Sequence, residues 1–486
     1  MTEVVAGVDL GTTGTKAAFF TPAGELLAEA AEATPPGWTD ADVFYAAAAR
    51  TLAACAERVD PGRVRAIGLC GQMAGVMGID AEHRASTPYD SWLDTRCAGD
   101  VAALEDELGD ELCATSGCPA MVNHAPKIRW WRRERPDAFA NTAKWVTPGG
   151  YVAGRLAGLS GDEAFMDRTY LHFSALADTR AGVWSERLAA AAGAEPEQLP
   201  RIVEPTTVVG ELSAQAAAEC GLRAGTPVAA GLGDTAAATL GAGVVRPGQV
   251  LDSAGTAAVL AGSVAEFRPD VAHRTLITMR GAVPGQWVSL AYLTAGPLLD
   301  WLAELAFEES FDRLSRDAEA VPAGADGLLC LPYLDGRVLP NDPHARGAFA
   351  GLRRGHGRGH LARAALEGVA LEYAEYLAVL RELHPEQRFD EARVAGGGAR
   401  SACWNAIKAS ALGVPYGTLP RRELGCWGAA LVAAAAVGLV DDLAEAAEAA
   451  TPLADRVEPD PAAGAVYERL RPVRRHLVAA TASVTA

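Results

Sequence analysis

Val4-Val5-Ala6-Gly7-Val8-Asp9-Leu10, then Gly11-Thr12-Thr13-Gly14-Thr15, then Lys16-Ala17-Ala18-Phe19-Phe20: an apolar run, a turn cluster and a second apolar run begin this chain. β-Rich residues on either side of a Gly/Thr cluster predict two antiparallel strands joined by a loop. The turn Thr21-Pro22-Ala23-Gly24 then leads into a third extended stretch over 25–33, so the chain starts as a meander. A dinucleotide-binding βαβ unit would run strand, glycine turn, helix, and this order excludes it.

The same pattern returns near the middle. Gln249-Val250-Leu251-Asp252 is followed by Ser253-Ala254-Gly255-Thr256 and then by Ala257-Ala258-Val259-Leu260. Asp9 and Asp252 lie 243 positions apart in a chain of 486, which predicts a duplicated domain whose two hairpins face each other across a cleft. A second correspondence supports it: Arg65 to Met73 and Arg393 to Ala399 both read as a buried strand ending in glycine, where a ligand can approach the backbone. The turn signal Arg246-Pro247-Gly248 sets the expected boundary, giving residues 1–245 and 246–486. Helical periodicity runs through Leu361, Ala365, Val369, Tyr373, Leu377 and Leu380, and an Ala-rich helix is expected over 427–439.

Composition narrows the partners. With 43 Lys+Arg against 61 Asp+Glu the formal charge is −18, which argues against a broad nucleic-acid surface and leaves only small anions held locally. Nine scattered cysteines without a Cys-x-x-Cys pair read as reduced thiols in a cytoplasmic protein, and the first residues lack the pattern of a secretory signal. The longest apolar run, Ala429 to Val437, is about half of what a bilayer crossing needs, so no membrane partner is expected. Lysine occurs only at Lys16, Lys127, Lys144 and Lys408, which makes each a somewhat better candidate for a task suited to a compact ammonium.

Loops of Gly and Thr between strands present successive backbone N–H groups and hydroxyls, a concave site for phosphate oxygens; each is equally readable as an ordinary tight turn. Two such loops facing one another would clamp a polyphosphate. No Gly-Lys dipeptide occurs, so no Walker A loop, and neither Gly-x-Gly-x-x-Gly after a strand nor His-Glu-x-x-His nor Gly-x-Ser-x-Gly is present. His356 and His360 are four apart but without a ligand set nearby, and read as helix-start or surface residues. Between the halves, 226–238 reads as a strand stopping at Gly231-Leu232-Gly233, a carboxylate at Asp234, then a small-residue helix. Asp234 is either a plain N-cap or a general base at the floor of the cleft.

Taken together, Gly7 to Lys16, Gly231-Leu232-Gly233-Asp234, Gly255-Thr256, Asn341 to Gly347 and Gly396-Gly397-Gly398-Ala399-Arg400-Ser401 resemble the FGGY carbohydrate kinases, over nearly the whole chain and closest to the xylulokinase-like branch. The resemblance implies an α/β fold of two actin- and hexokinase-like (ribonuclease H-like) domains, each a mixed sheet flanked by helices, closing over ATP-Mg²⁺ and a sugar. It implies Asp234 as catalytic base, Asp9 as the acid organising Mg²⁺, and Thr12, Thr13 and Lys16 as the first phosphate loop. Gly255 and Thr256 correspond to the second loop, and Gly397 and Gly398 to the glycines against the adenosine end. The sugar-side candidates are Gln72, Met73, Trp92, Asp94, Arg96 and Asp234, with Trp92 equally readable as core. The pocket departs from the branch in three places: Ala74 replaces a usual His, Thr235 a usual Asn, and Tyr170 stands where an acid is typical. The expected reaction is phosphorylation of a ketopentose such as D-xylulose. Another ketose or polyol, or an actin-like regulatory ATPase without a sugar, are the alternatives. A homodimer is compatible with the sequence, which assigns no surface to it.

Overall fold

The expected meander forms at the start of the chain. Strand β1 (Val4–Leu10) pairs antiparallel with β2 (Gly14–Phe20), and β2 pairs antiparallel with β3 (Leu26–Ala33). β4 (Val64–Gly71) lies parallel to β1, and β5 (Val208–Glu211), β6 (Pro227–Ala229) and β7 (Leu232–Gly233) complete a seven-stranded sheet ordered β5-β6-β4-β1-β2-β3, with β7 also on β4. This computed structural model describes residues 2–35, 37–254 and 258–482.

The second half repeats the plan. β8 (Gln249–Ala254), β9 (Ala258–Val264), β10 (Ile277–Arg280), β11 (Trp287–Leu293), β12 (Glu391–Ala395), β13 (Tyr416–Thr418) and β14 (Arg456–Val457) form a sheet ordered β10-β11-β9-β8-β12-β13-β14. β8, β9 and β11 are antiparallel neighbours, with β10 on the outer edge of β11, and β12 lies parallel to β8 as β4 does to β1.

Both faces of each sheet are covered, which is why the central strands are nearly continuous apolar runs rather than alternating ones. On the first sheet, α1 (Asp42–Ala56) packs one face through Phe44 and Leu52. Of the helices that follow, α2 (His124–Glu134) borders the cleft, and α3 (Asp234–Gly241) starts at the catalytic candidate. α4 (Arg358–Leu383) and α5 (Ala402–Leu412) cover the second sheet, and α6 (Leu424–Ala436) lies against β1 and β4. This last contact crosses between the halves: a Cβ on Gly7 would overlap the Cys426 carbonyl oxygen, and one on Gly68 that of Ala429. α3 and α6 also meet backbone to backbone, at Gly428 against Ala237 and Gly241 against Leu424. One apolar core therefore runs from Val5 and Cys70 through Leu240 and Leu431 to Val250 and Val394.

The repeat does not extend to the direction of its two aspartates. Asp252 does not face Asp9 across the cleft; it points to the outer side of its own sheet, fully buried, ion-paired with Lys408 of α5 and bonded by the Tyr373 hydroxyl of α4 at 3.1 Å. Asp9 is one residue before the last hairpin pair, Leu10↔Thr15, whereas Asp252 is two before Ala254↔Ala258. A one-residue offset sends a side chain to the opposite face of a strand. His356 and His360 behave as helix-start residues, their Nδ1 atoms accepting from the Arg353 and Gly357 N–H groups. Among the described residues, no helix is long and apolar enough to cross a membrane.

Candidate active site

β6 reaches the site by passing over β4, and only a glycine fits there: Gly231 has φ +80°, and a Cβ on it would overlap the Leu69 carbonyl oxygen. After β7 the helix α3 begins, with Gly233 at the N-cap and Asp234 as its first helical residue. Asp234 is therefore not the N-cap. Its Oδ1 accepts from the Thr235 N–H at 2.6 Å and the Thr235 hydroxyl at 3.2 Å, while Oδ2 has no hydrogen bond to a described residue. The turn is held from behind. The Thr169 hydroxyl accepts from Gly233 N–H at 2.8 Å and donates to Asp167 Oδ1, and the Tyr170 hydroxyl reaches the carbonyls of Gly71 (3.0 Å) and Leu232 (3.2 Å). Tyr170 thus spends its bulk in the core, bracing the ends of β4 and β7.

Asp234 opens onto a cavity of about 180 Å³. Thr12, Gln72, Met73, Ala74, Trp92 and Phe173 line it from the first half, Asp234 and Thr235 from the start of α3, and Val259, Leu290 and Tyr292 from the second sheet. A space this size, below the roughly 300–1,000 Å³ of drug-sized pockets, suits a small ligand. Trp92 donates from Nε1 to the Thr12 hydroxyl at 3.0 Å, tying the cavity wall to the first loop. Gln72 is fixed at both ends, its Nε2 donating to Gly11 O at 3.2 Å and its Oε1 accepting from Tyr89 at 3.0 Å. The Met73 side chain packs onto Gly233.

Asp94 and Arg96 do not line this cavity. Arg96 is drawn away by an ion pair with buried Asp90 and lies over the Trp130 ring at 4.2 Å, with Asp94 beside it at 3.3 Å. Thr13 is exposed, its carbonyl accepting from the Thr34 N–H at 3.0 Å.

Three carboxylates and one ammonium surround the first loop. Lys16 pairs with Glu423, the residue preceding α6, at 3.0 Å. Burial works against the Lys16 charge, but the bond to Glu423 and the negative charges of Glu423 and Asp9 hold its pKa above the ordinary lysine value. Burial lifts Asp9 from 3.8 to about 6, against the pull of Lys16 and of a bond from the Cys70 thiol. Asp234 goes further, to about 7, because burial and then the nearby Asp9 charge outweigh its bonds from Thr235. A carboxylate with a pKa near neutrality is suited to taking a proton and then releasing it.

On the far side, Gly396 to Arg400 form a tight turn at the end of β12. Gly397 is exposed with open space at its Cβ position, whereas a Cβ on Gly398 would meet the Trp404 ring and Ala254. The turn thus presents bare backbone next to the end of β8. Gly255 and Thr256 lie outside the described residues.

Sequence reasoning did not assign Phe173, Val259, Leu290, Tyr292 or Glu423 to the site. Thr235 and Ala74 were visible as departures from the family pattern. The others needed the two halves placed side by side.

Comparison with known proteins shows the family to which this fold belongs. The model of the FGGY family of carbohydrate kinases, N-terminal domain, matches residues 4–241, and that of its C-terminal domain matches 236–437. The chain is 31% identical to a xylulose kinase of Escherichia coli over 420 residues, covering 84% of each chain. It is 27% identical to a gluconokinase of Bacillus subtilis, over 91% of this chain and 89% of that one. The crystal structure of a xylulose kinase from Rhodospirillum rubrum superposes with a TM-score of 0.88 at 33% identity, covering 98% of this chain and 99% of the other. With two matched halves, a carboxylate between them and both family models matched in order along the sequence, the chain belongs to the FGGY family of carbohydrate kinases, in its xylulokinase-like branch.

Proposed function

We propose that this protein transfers the γ-phosphoryl group of ATP to a hydroxyl of a ketopentose such as D-xylulose, in the cytoplasm. The observation that carries the reading is the cavity between the halves into which Asp234 opens, with its pKa near 7 and its Oδ2 without a hydrogen bond among the described residues. Residues 1–245 would then hold the sugar and 246–486 the nucleotide. The nine cysteines, all free and buried, suit a reducing compartment.

The proton of the attacking hydroxyl passes to Asp234 Oδ2, while the Thr235 N–H holds Oδ1 and so fixes the carboxylate. Thr12 and Trp92 position the sugar beside the first loop, Lys16 brings positive charge to the phosphate side, and Gly397 and Gly398 offer flat backbone to the adenosine end. The residues present fit Mg²⁺ held by Asp9. Its carboxylate is half-buried, has a weak thiol donor, and lies near Asp234 and Glu423, all of which a divalent cation would relieve. Among the described residues no group of three His, Cys, Asp or Glu side chains could hold a metal, so Asp9 would share the ion with the phosphates of the nucleotide. When bound, Mg²⁺ supplies neutralisation of charge on the transferring phosphoryl group.

A second reading, another ketose or a polyol, is favoured by Ala74, which lines the cavity at a position where the branch usually has an imidazole. A site that pairs a hydroxyl rejects analogues lacking it, so this loss alters which sugar fits. ADP release under saturating ATP-Mg²⁺ with a panel of ketoses, polyols and gluconate decides. D-Xylulose should give the highest kcat/KM; a higher value for another sugar selects the second reading, and turnover that no sugar stimulates removes both.

A further inference from the structure

Lys127 is one of only four lysines in the chain, is 2% exposed, and makes no ion pair with a carboxylate among the described residues. Its Nζ donates instead to three backbone carbonyls: Ala74 at 2.8 Å, Ser91 at 2.9 Å and Asp90 at 3.4 Å. These belong to two different segments, and each segment carries a wall of the cavity, Ala74 on one and Trp92 on the other. The Val76–Asp90 bridge and the Tyr89–Gln72 hydrogen bond also join the segments, and Lys127 adds the side-chain tie directly behind Ala74 and Ser91. One turn earlier on α2, His124 Nε2 lies 2.8 Å from the Met73 carbonyl, so α2 grips consecutive residues of the same wall. Trp92 in turn donates to Thr12.

We infer that Lys127 is a positioning residue for the acceptor sugar, clamping the Met73–Ala74 and Ser91–Trp92 walls at the spacing that the substrate requires. The inference rests on the reading of this cavity as the sugar site. An ammonium has three N–H donors for three carbonyls. A neutral amine has two and turns its lone pair toward the third carbonyl, which repels it. Burial lowers the Lys127 pKa to about 8, with Cys97 and Asp94 favouring the charged form and Arg96 opposing it; His124 is the ionisable neighbour on its own helix. The clamp should therefore hold at neutral pH and loosen as the pH rises through about 8.

The test is steady-state kinetics from pH 7 to 9.5 on the full chain, with the sugar that the panel selects. In the wild type the sugar KM should rise through pH 8 while the ATP KM stays level. Lys127→Met, which keeps the length and removes the donors, should raise the sugar KM about tenfold at neutral pH, leave kcat within about threefold, and abolish the rise. An unchanged sugar KM in the variant, or equal losses in kcat and in ATP affinity, overturns the inference. If Lys127→Met does not fold, the wild-type profile decides alone, and a level sugar KM overturns the clamp. Absence of sugar turnover in the wild type would instead refute the proposed function.

Discussion

Asp9 and Asp252 sit on matching strands of matching sheets and do opposite things. Asp9 faces the cleft, partly open, with a pKa lifted to about 6 and with Lys16 beside it. Asp252 is sealed between its sheet and two helices, where Lys408 and Tyr373 neutralise and bond it. Symmetry of fold has not produced symmetry of use. The first half keeps its carboxylate available to solvent and ligands and accepts the cost of leaving it poorly partnered. The second half invests its own in holding α4 and α5 to the sheet. A buried charge with a full set of partners is structural, whereas a buried charge short of partners is a candidate for chemistry.

The sharpest way to test that division is on the catalytic side. Asp234→Asn keeps the shape and removes the base, so kcat should fall by about 10² to 10⁴ with ATP affinity little changed. Near wild-type turnover would take Asp234 out of the mechanism. On the structural side, Lys408→Met leaves Asp252 buried and unpaired, and urea unfolding should show a loss of about 3–5 kcal/mol. Asp252→Leu combined with Lys408→Met should recover much of it, with turnover per folded molecule unchanged throughout. If the pair proved as dispensable singly as doubly, the contrast with Asp9 would vanish.

The pH dependence separates the two aspartates further. With Asp234 at about 7, the proposed base would be protonated and unable to take a proton at lower pH, so kcat should decline as pH falls through 7. Asp9 contributes to that elevation by its negative charge. Asp9→Asn should therefore shift the Asp234 titration, followed by carboxyl NMR without metal, to lower pH by less than about one unit. The same experiment on Asp252→Asn should leave it in place. The smallest effect expected is one of preference. Ala74→His restores an imidazole to the cavity and should change the ratio of kcat/KM for D-xylulose over the other accepted sugars by about tenfold, in favour of D-xylulose. An unaltered ratio would show that position 74 does not touch the acceptor.

The two hairpins, the meander and the Gly231–Asp234 turn were legible in the sequence because each depends on neighbours along the chain: apolar runs, Gly/Thr clusters, a glycine before a helix. The site was legible only where a motif carried it. Asp234, Thr12, Gln72, Met73 and Trp92 do meet around one cavity, while Asp94 and Arg96, from the same stretch as Trp92, are turned away by Asp90 and Trp130. Nothing local announces that Lys16 meets Glu423, since the two are 407 residues apart. Val259, Leu290 and Tyr292 come from strands whose outward and inward faces cannot be assigned until the second sheet is set against the first. The Ala-rich composition of α6 hid its destination, because a helix that is apolar on every side has no stripe to show which surface it covers.

That helix has a bearing on how the molecule is made. β1 leaves the ribosome about 400 residues ahead of Leu424–Ala436, yet the surface that closes over Gly7 and Gly68 belongs to that later helix. Until then the first sheet must wait with one apolar side open to water, a state in which nascent chains are exposed to misassembly. A fragment cut at the boundary between the repeats would carry that open side permanently, so expressing the front half alone should yield aggregate, and supplying the back half in trans should restore solubility.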